Sequence, residues 1–191
     1  MEWVARALRN PHARVTGVVY LLYFLTAILA QFLVSRAFVA FGNATNVIAT
    51  ALYVALTLLF YLLFKPVNRS LSLLAAFFGL VGCTNDVLTL FHLAPYRIGS
   101  VVFFAPYCLL IGYLIFRSTF LPGILGVLMV CAGLGWLIFL SPLAKHLSTY
   151  LMVLGFLAEA SLMLWLLVKG VNVERWREQA TATRSHGTSG I

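Results

Sequence analysis

The chain has 191 residues, 62% of them hydrophobic and 9% charged, with a mean hydropathy of +1.00. So few charges cannot cover a water-soluble globule, which excludes a soluble domain. The net charge of +8 comes from single cations between apolar runs. That pattern excludes a nucleic-acid partner and matches cations that orient spans and meet lipid headgroups.

A spanning helix needs roughly 20 mostly apolar residues. The first such run is Val15–Val34, preceded by Arg6, Arg9 and Arg14. It is long for a signal-peptide core and has no clean cleavage pattern at Ala27–Ala30, so it reads as a retained helix. Further spans are expected at about Asn46–Phe64, Ser70–Ala94, Ser100–Phe116, Gly123–Leu140 and Ser148–Val168. Turn residues separate them, as in Lys65-Pro66-Val67-Asn68, Pro95-Tyr96, Pro122-Gly123 and Ser141-Pro142. Short links make neighbours antiparallel. The expected fold is all-α, a polytopic membrane bundle of about six helices over residues 15–169. It is flanked by a segment 1–14 and a tail 170–191, helical near Val173–Gln179 and then disordered.

Ten cations fall on the side of the N-terminus: Arg6, Arg9, Arg14, Lys65, Arg69, Arg117, Lys169, Arg175, Arg177 and Arg184. Three fall opposite: Arg36, Arg97 and Lys145. This bias predicts a multi-pass protein of the cell membrane with both termini cytoplasmic. The segments Tyr61–Lys65, Tyr113–Arg117 and Trp165–Lys169 recur at a spacing of 52, each ending an even-numbered helix. They suggest three hairpins built alike, although aromatic belts and positive-inside charge produce similar ends by themselves.

Two acids, Asp86 and Glu159, lie within spans. A charge at mid-bilayer costs about 2.5–3.5 kcal/mol, so such groups pair, take up a proton or line a wet cavity. From a rise of about 1.5 Å per residue, Glu159 and Tyr107 lie about 14 Å from the cytoplasmic ends and Tyr23 about 12 Å. Asp86 and Gln31 lie about 24 Å in, forming a second layer. Asp86 and Glu159 are the candidate catalytic residues, with Tyr107 the expected partner of Glu159. Tyr107, Tyr23, Asn85, Gln31 and His92 are the candidate ligand-binding residues.

The third span is the most polar, with Cys83, Thr84, Asn85, Asp86, Thr89 and His92. His92, near the outer boundary, is more simply an interfacial residue than a ligand. Cys83, Cys108 and Cys131 sit singly in apolar runs, and no metal spacing occurs, so no metal or cofactor is expected. Pro106 should kink the fourth span and free the carbonyl of residue 102. Gly123, Gly126, Gly133 and Gly135 should bring helices close, and Gly155 should make room beside Glu159. No Walker loop, nucleophile elbow or dinucleotide fingerprint occurs.

Three blocks carry a resemblance. They are Lys65-Pro66-Val67-Asn68-Arg69 with Leu73–Phe77; Gly112–Ser118 with Phe120-Leu121-Pro122 and Leu125-Gly126; and Glu159 with Leu164–Gly170. On these the sequence resembles a bacterial family of integral membrane proteins labelled domain of unknown function 4386, over about Arg14 to Val171. The resemblance implies a membrane fold of six to seven helices with no established activity, and a histidine where this chain has Tyr107. The leading expectation is a membrane protein whose intramembrane polar pocket binds a small hydrophobic ligand, lipid or isoprenoid-like. The alternatives are an intramembrane cyclase or isomerase using acid catalysis, and a proton-coupled transporter or complex subunit. Membrane lipid is the expected partner, and a homo-oligomer is compatible with the small-residue faces.

Overall fold

A computed structural model describes residues 13–93 and 99–188. Every regular element among them is a helix: α1 Ala13–Ser35, α2 Val39–Phe64, α3 Arg69–Leu90, α4 Val101–Arg117, α5 Gly123–Ile138, α6 Ala144–Val168 and α7 Val173–Thr188. Four, α1, α2, α3 and α6, are long and apolar enough to cross a membrane. Helices α4 and α5 are apolar but shorter, at 17 and 16 residues. At about 1.5 Å per residue each spans roughly 25 Å, a little less than a hydrocarbon core. The chain is a membrane helix bundle.

Helix termini explain where the elements differ from expectation. Helix α2 begins at Val39 rather than Asn46, because α1 ends in a tight cap. Ala37 takes a left-handed φ of 66°, Ala37 N–H donates to Val34 O at 3.1 Å, and Phe38 N–H donates to Leu33 O at 3.0 Å. This two-bond cap satisfies the last carbonyls of α1 and reverses the chain within three residues. Helix α3 stops at Leu90 rather than Ala94 for the same reason. His92 has φ 56°, its N–H donates to Thr89 O at 3.1 Å, and Leu93 N–H donates to Leu88 O at 2.8 Å. The expected turn Pro95-Tyr96 and Arg97 lie outside the described residues, as do Arg6, Arg9 and most of the segment 1–14.

Each of the six apolar helices packs on its sequence neighbours among them, and α1 also packs on α6, so the six close into a ring. Leu56, Phe60, Phe64, Ile111, Ile115, Leu162 and Leu166 fill its interior. Leu25, Phe32, Phe77, Phe156 and Leu164 are exposed on its outside, where lipid replaces water. The closest approaches use glycine. A Cβ on Gly17 of α1 would meet Leu167 N of α6 at 2.6 Å. A Cβ on Gly112 of α4 would meet Gly126 O of α5 at 2.9 Å, and one on Gly126 would meet Gly112 O at 2.9 Å. Gly133 is equally tight against Leu109, whereas Gly123 and Gly135 have ordinary room.

The ends of α2 and α6 share their details. Lys65 Nζ sits 5.9 Å from the Tyr61 ring centroid and Lys169 Nζ 5.6 Å from that of Trp165. Asn68 then accepts from Leu71 N–H at 3.0 Å, and Asn172 from Arg175 N–H at 3.2 Å. Both are helix N-caps. After α4 the chain departs from this pattern: Phe120 and Leu121 bury themselves instead.

The tail extends further as a helix than expected, through Thr188, because it has a docking site. Trp176 is buried and its indole N–H donates to Leu63 O at 2.9 Å. Gln179 Nε2 donates to Arg117 O at 3.1 Å, and Thr183 Oγ1 donates to Pro66 O at 2.8 Å. Helix α7 thus lies across the α2–α3 and α4–α5 links, satisfying carbonyls that those helix ends leave free.

Candidate functional site

The polar residues of the ring interior fall into two groups. The first surrounds a cavity of about 360 Å³ between α1, α2, α3 and α4. Helix α1 contributes Tyr23, Ala27 and Gln31 at i, i+4 and i+8, one helical face. Helix α2 contributes Asn46, Ala49, Thr50 and Tyr53, again one face. Cys83, Asp86, Thr89 and Leu90 come from α3, and Phe104 from α4. The cavity occupies the half of the bundle that holds the C-terminus of α1 and the N-terminus of α2. Its rim carries the exposed Gln31 and Thr89.

Asp86 faces this cavity, and its Oδ1 accepts a hydrogen bond from Ser100 Oγ at the N-cap of α4. The bond ties the end of α3 to the start of α4. It also sets the carboxyl beside the N-terminus of α4. Tyr23, Tyr53 and Phe104 form an aromatic corner. The Tyr23 and Tyr53 centroids are 4.8 Å apart at 61°, and those of Tyr53 and Phe104 are 5.2 Å apart at 88°. These are edge-to-face arrangements, which hold rings firmly.

The second group lies deeper toward the chain termini. Glu159 of α6 is partly buried, and its Oε2 accepts from Tyr20 Oη of α1 at 3.1 Å. Tyr20, not Tyr107, is therefore its hydrogen-bond partner. Depth by itself points the wrong way: Tyr20 precedes Tyr23 by three residues, about 4.5 Å nearer the start of the helix, and shares its face. The two rings are 6.3 Å apart. Tyr107 is buried, its ring packs near that of Tyr53, and among the described residues its hydroxyl has no hydrogen-bond partner. Gly155 does make room beside Glu159, and Trp136 of α5 takes it: a Cβ there would meet the indole at 2.7 Å.

Of the residues singled out in the sequence, Asp86, Tyr23 and Gln31 line the cavity. Glu159 and Tyr107 belong to the deeper group, and Tyr23, on the cavity wall and packed near Tyr20, stands between the two. Asn85 and His92 do not line the cavity. His92 is exposed and forms the helix cap of α3. Sequence reasoning missed Tyr20, Asn46, Thr50, Tyr53 and Ser100. The i, i+4 spacing of Asn46 and Thr50 was the available signal, hidden by placing Asn46 at the start of a helix that in fact begins at Val39.

The family described as Domain of unknown function (DUF4386) matches residues 83–170, from mid-α3 to the end of α6. That stretch contains Asp86, Ser100, Tyr107 and Glu159. An uncharacterized protein of Archaeoglobus fulgidus is 30% identical over 119 residues, covering 58% of this chain and 72% of that one. No solved structure matches the chain. The bundle, the matched segment and the archaeal relative together identify the chain as a member of the membrane family described as Domain of unknown function (DUF4386).

Proposed function

We propose that this protein binds a small hydrophobic molecule, lipid or isoprenoid-like, in the cavity bordered by Asp86, with both termini in the cytoplasm and the cavity rim on the outer side of the cell membrane. The observation that carries the reading is the cavity itself. Its volume of about 360 Å³ falls in the range of small-molecule sites, roughly 300–1,000 Å³. Its walls combine rings and alanines with a few convergent polar groups, Asp86, Asn46, Thr50 and Gln31. Apolar walls would hold the body of a ligand while the polar groups fix its orientation. Bulk lipid gives no reason to keep these groups in a span, because an unsatisfied polar group in hydrocarbon costs several kcal/mol.

The separate hydroxyl partners of Asp86 and Glu159 favour binding over two-acid catalysis. In an acid-catalysed reaction both carboxyls would flank one substrate, whereas here only Asp86 borders the cavity. The proposed orientation rests on the ten-to-three distribution of cations. The test of binding is native mass spectrometry of protein purified from its own membrane. Wild type should carry a discrete small-molecule adduct, and Ala27→Phe, which fills the cavity, should not. Equal adducts in both proteins, or none in wild type, would overturn the reading.

A further inference from the structure

We propose that the ligand's polar end is an organic cation, an amine or quaternary ammonium, seated between Asp86 and the rings of Tyr23, Tyr53 and Phe104. This rests on the reading of the cavity as a binding site and names its ligand class. Asp86 is the only acid on the cavity wall among the described residues, and among them only Ser100 bonds to it, through one oxygen. Among the described residues no cation pairs with it. An acid inside a membrane pairs with an opposite charge, takes up a proton or is hydrated, and a ligand cation would supply the first of these at Asp86.

The neighbouring rings make the cation specific. Tyr53 packs at steep angles against both Tyr23 and Phe104, and all three rings line the cavity. Ring faces attract cations, and aromatic boxes are the recurrent solution for ammonium groups that carry methyls instead of N–H donors. A neutral alcohol would be served by Thr50 or Asn46 alone and would need neither the acid nor the rings. The cavity size suits a small head with a short apolar body.

The test uses the full chain in nonionic maltoside micelles and isothermal calorimetry. The probes are choline and its neutral carbon isostere, 3,3-dimethyl-1-butanol. Choline should bind at least ten-fold more tightly than the neutral isostere. Asp86→Asn should abolish that preference, and Phe104→Leu, which leaves the acid intact, should reduce it several-fold. If the neutral isostere binds as well as choline, the cation assignment is wrong while the binding site stands. The assignment is equally wrong if wild type and both variants show the same preference. If neither probe binds, the cation assignment also falls, and the adduct measurement on Ala27→Phe decides the parent reading separately.

Discussion

Removing one oxygen from Tyr20 should weaken the bundle measurably, because that oxygen satisfies Glu159 across the α1–α6 contact. Tyr20→Phe keeps the ring and its edge-on packing against Phe60, with centroids 5.8 Å apart at 89°, so packing changes little. What is lost is one interhelical hydrogen bond, of a kind that averages about 0.6 kcal/mol in membrane bundles and reaches about 1.7. A buried acceptor left unsatisfied costs about 1–3 kcal/mol. The expected loss is therefore about 1–2 kcal/mol, and each kcal/mol lowers Tm by about 2–4 °C for a chain of this size. The assay is thermal unfolding in maltoside micelles, for Tyr20→Phe alone and in a Glu159→Leu background. In that background Tyr20→Phe should cost almost nothing. Tyr107→Phe is the control: its hydroxyl makes no regular hydrogen bond, so its loss should be neutral or slightly stabilising. Additive effects of Tyr20 and Glu159, or a larger loss from Tyr107→Phe, would refute the pairing.

Gly17→Ala would place a methyl 2.6 Å from backbone that cannot rotate away, so it should cost about 1–3 kcal/mol in the same unfolding assay. Gly123→Ala, whose nearest neighbour would be 3.9 Å away, should cost nothing. Trp176→Phe removes the hydrogen bond to Leu63 O and should release α7, read as faster proteolysis within Val173–Thr188 while the bundle stays intact. His92→Gly should be neutral or stabilise by up to about 1 kcal/mol, because glycine takes the left-handed cap without strain.

Fold and site were legible in the sequence to different degrees, for physical reasons. Apolar runs bounded by cations and turns reveal helices, since lipid forces every backbone group to be satisfied within its segment. The break at Ala37 carries no such sign: an alanine in a left-handed cap looks like any alanine, so the start of α2 was misplaced. Asp86 and Gln31 were matched by depth, and both line one cavity. Depth is a single coordinate, however. It cannot give the rotation of a helix about its axis, and that rotation chose Tyr20 over Tyr107 as the partner of Glu159. Ser100 escaped notice because it sits at a helix end, where serine is ordinary.

The most direct test of the account is whether a polar, reachable cavity exists inside the bundle at all. Thr50→Cys places a thiol on its wall. Phe77→Cys places one on the outer face, where Phe77 is 58% exposed, and native Cys108 lies in the core at 2%. Maleimide labelling needs thiolate and solvent access together. Native Cys83 also lines the cavity and Cys131 is exposed, so both are first replaced by serine. In intact membranes Thr50→Cys should then label with N-ethylmaleimide well before Phe77→Cys or Cys108, and Ala27→Phe should block it. Labelling of Thr50→Cys as slow as that of Cys108 would contradict the cavity and the function proposed for it.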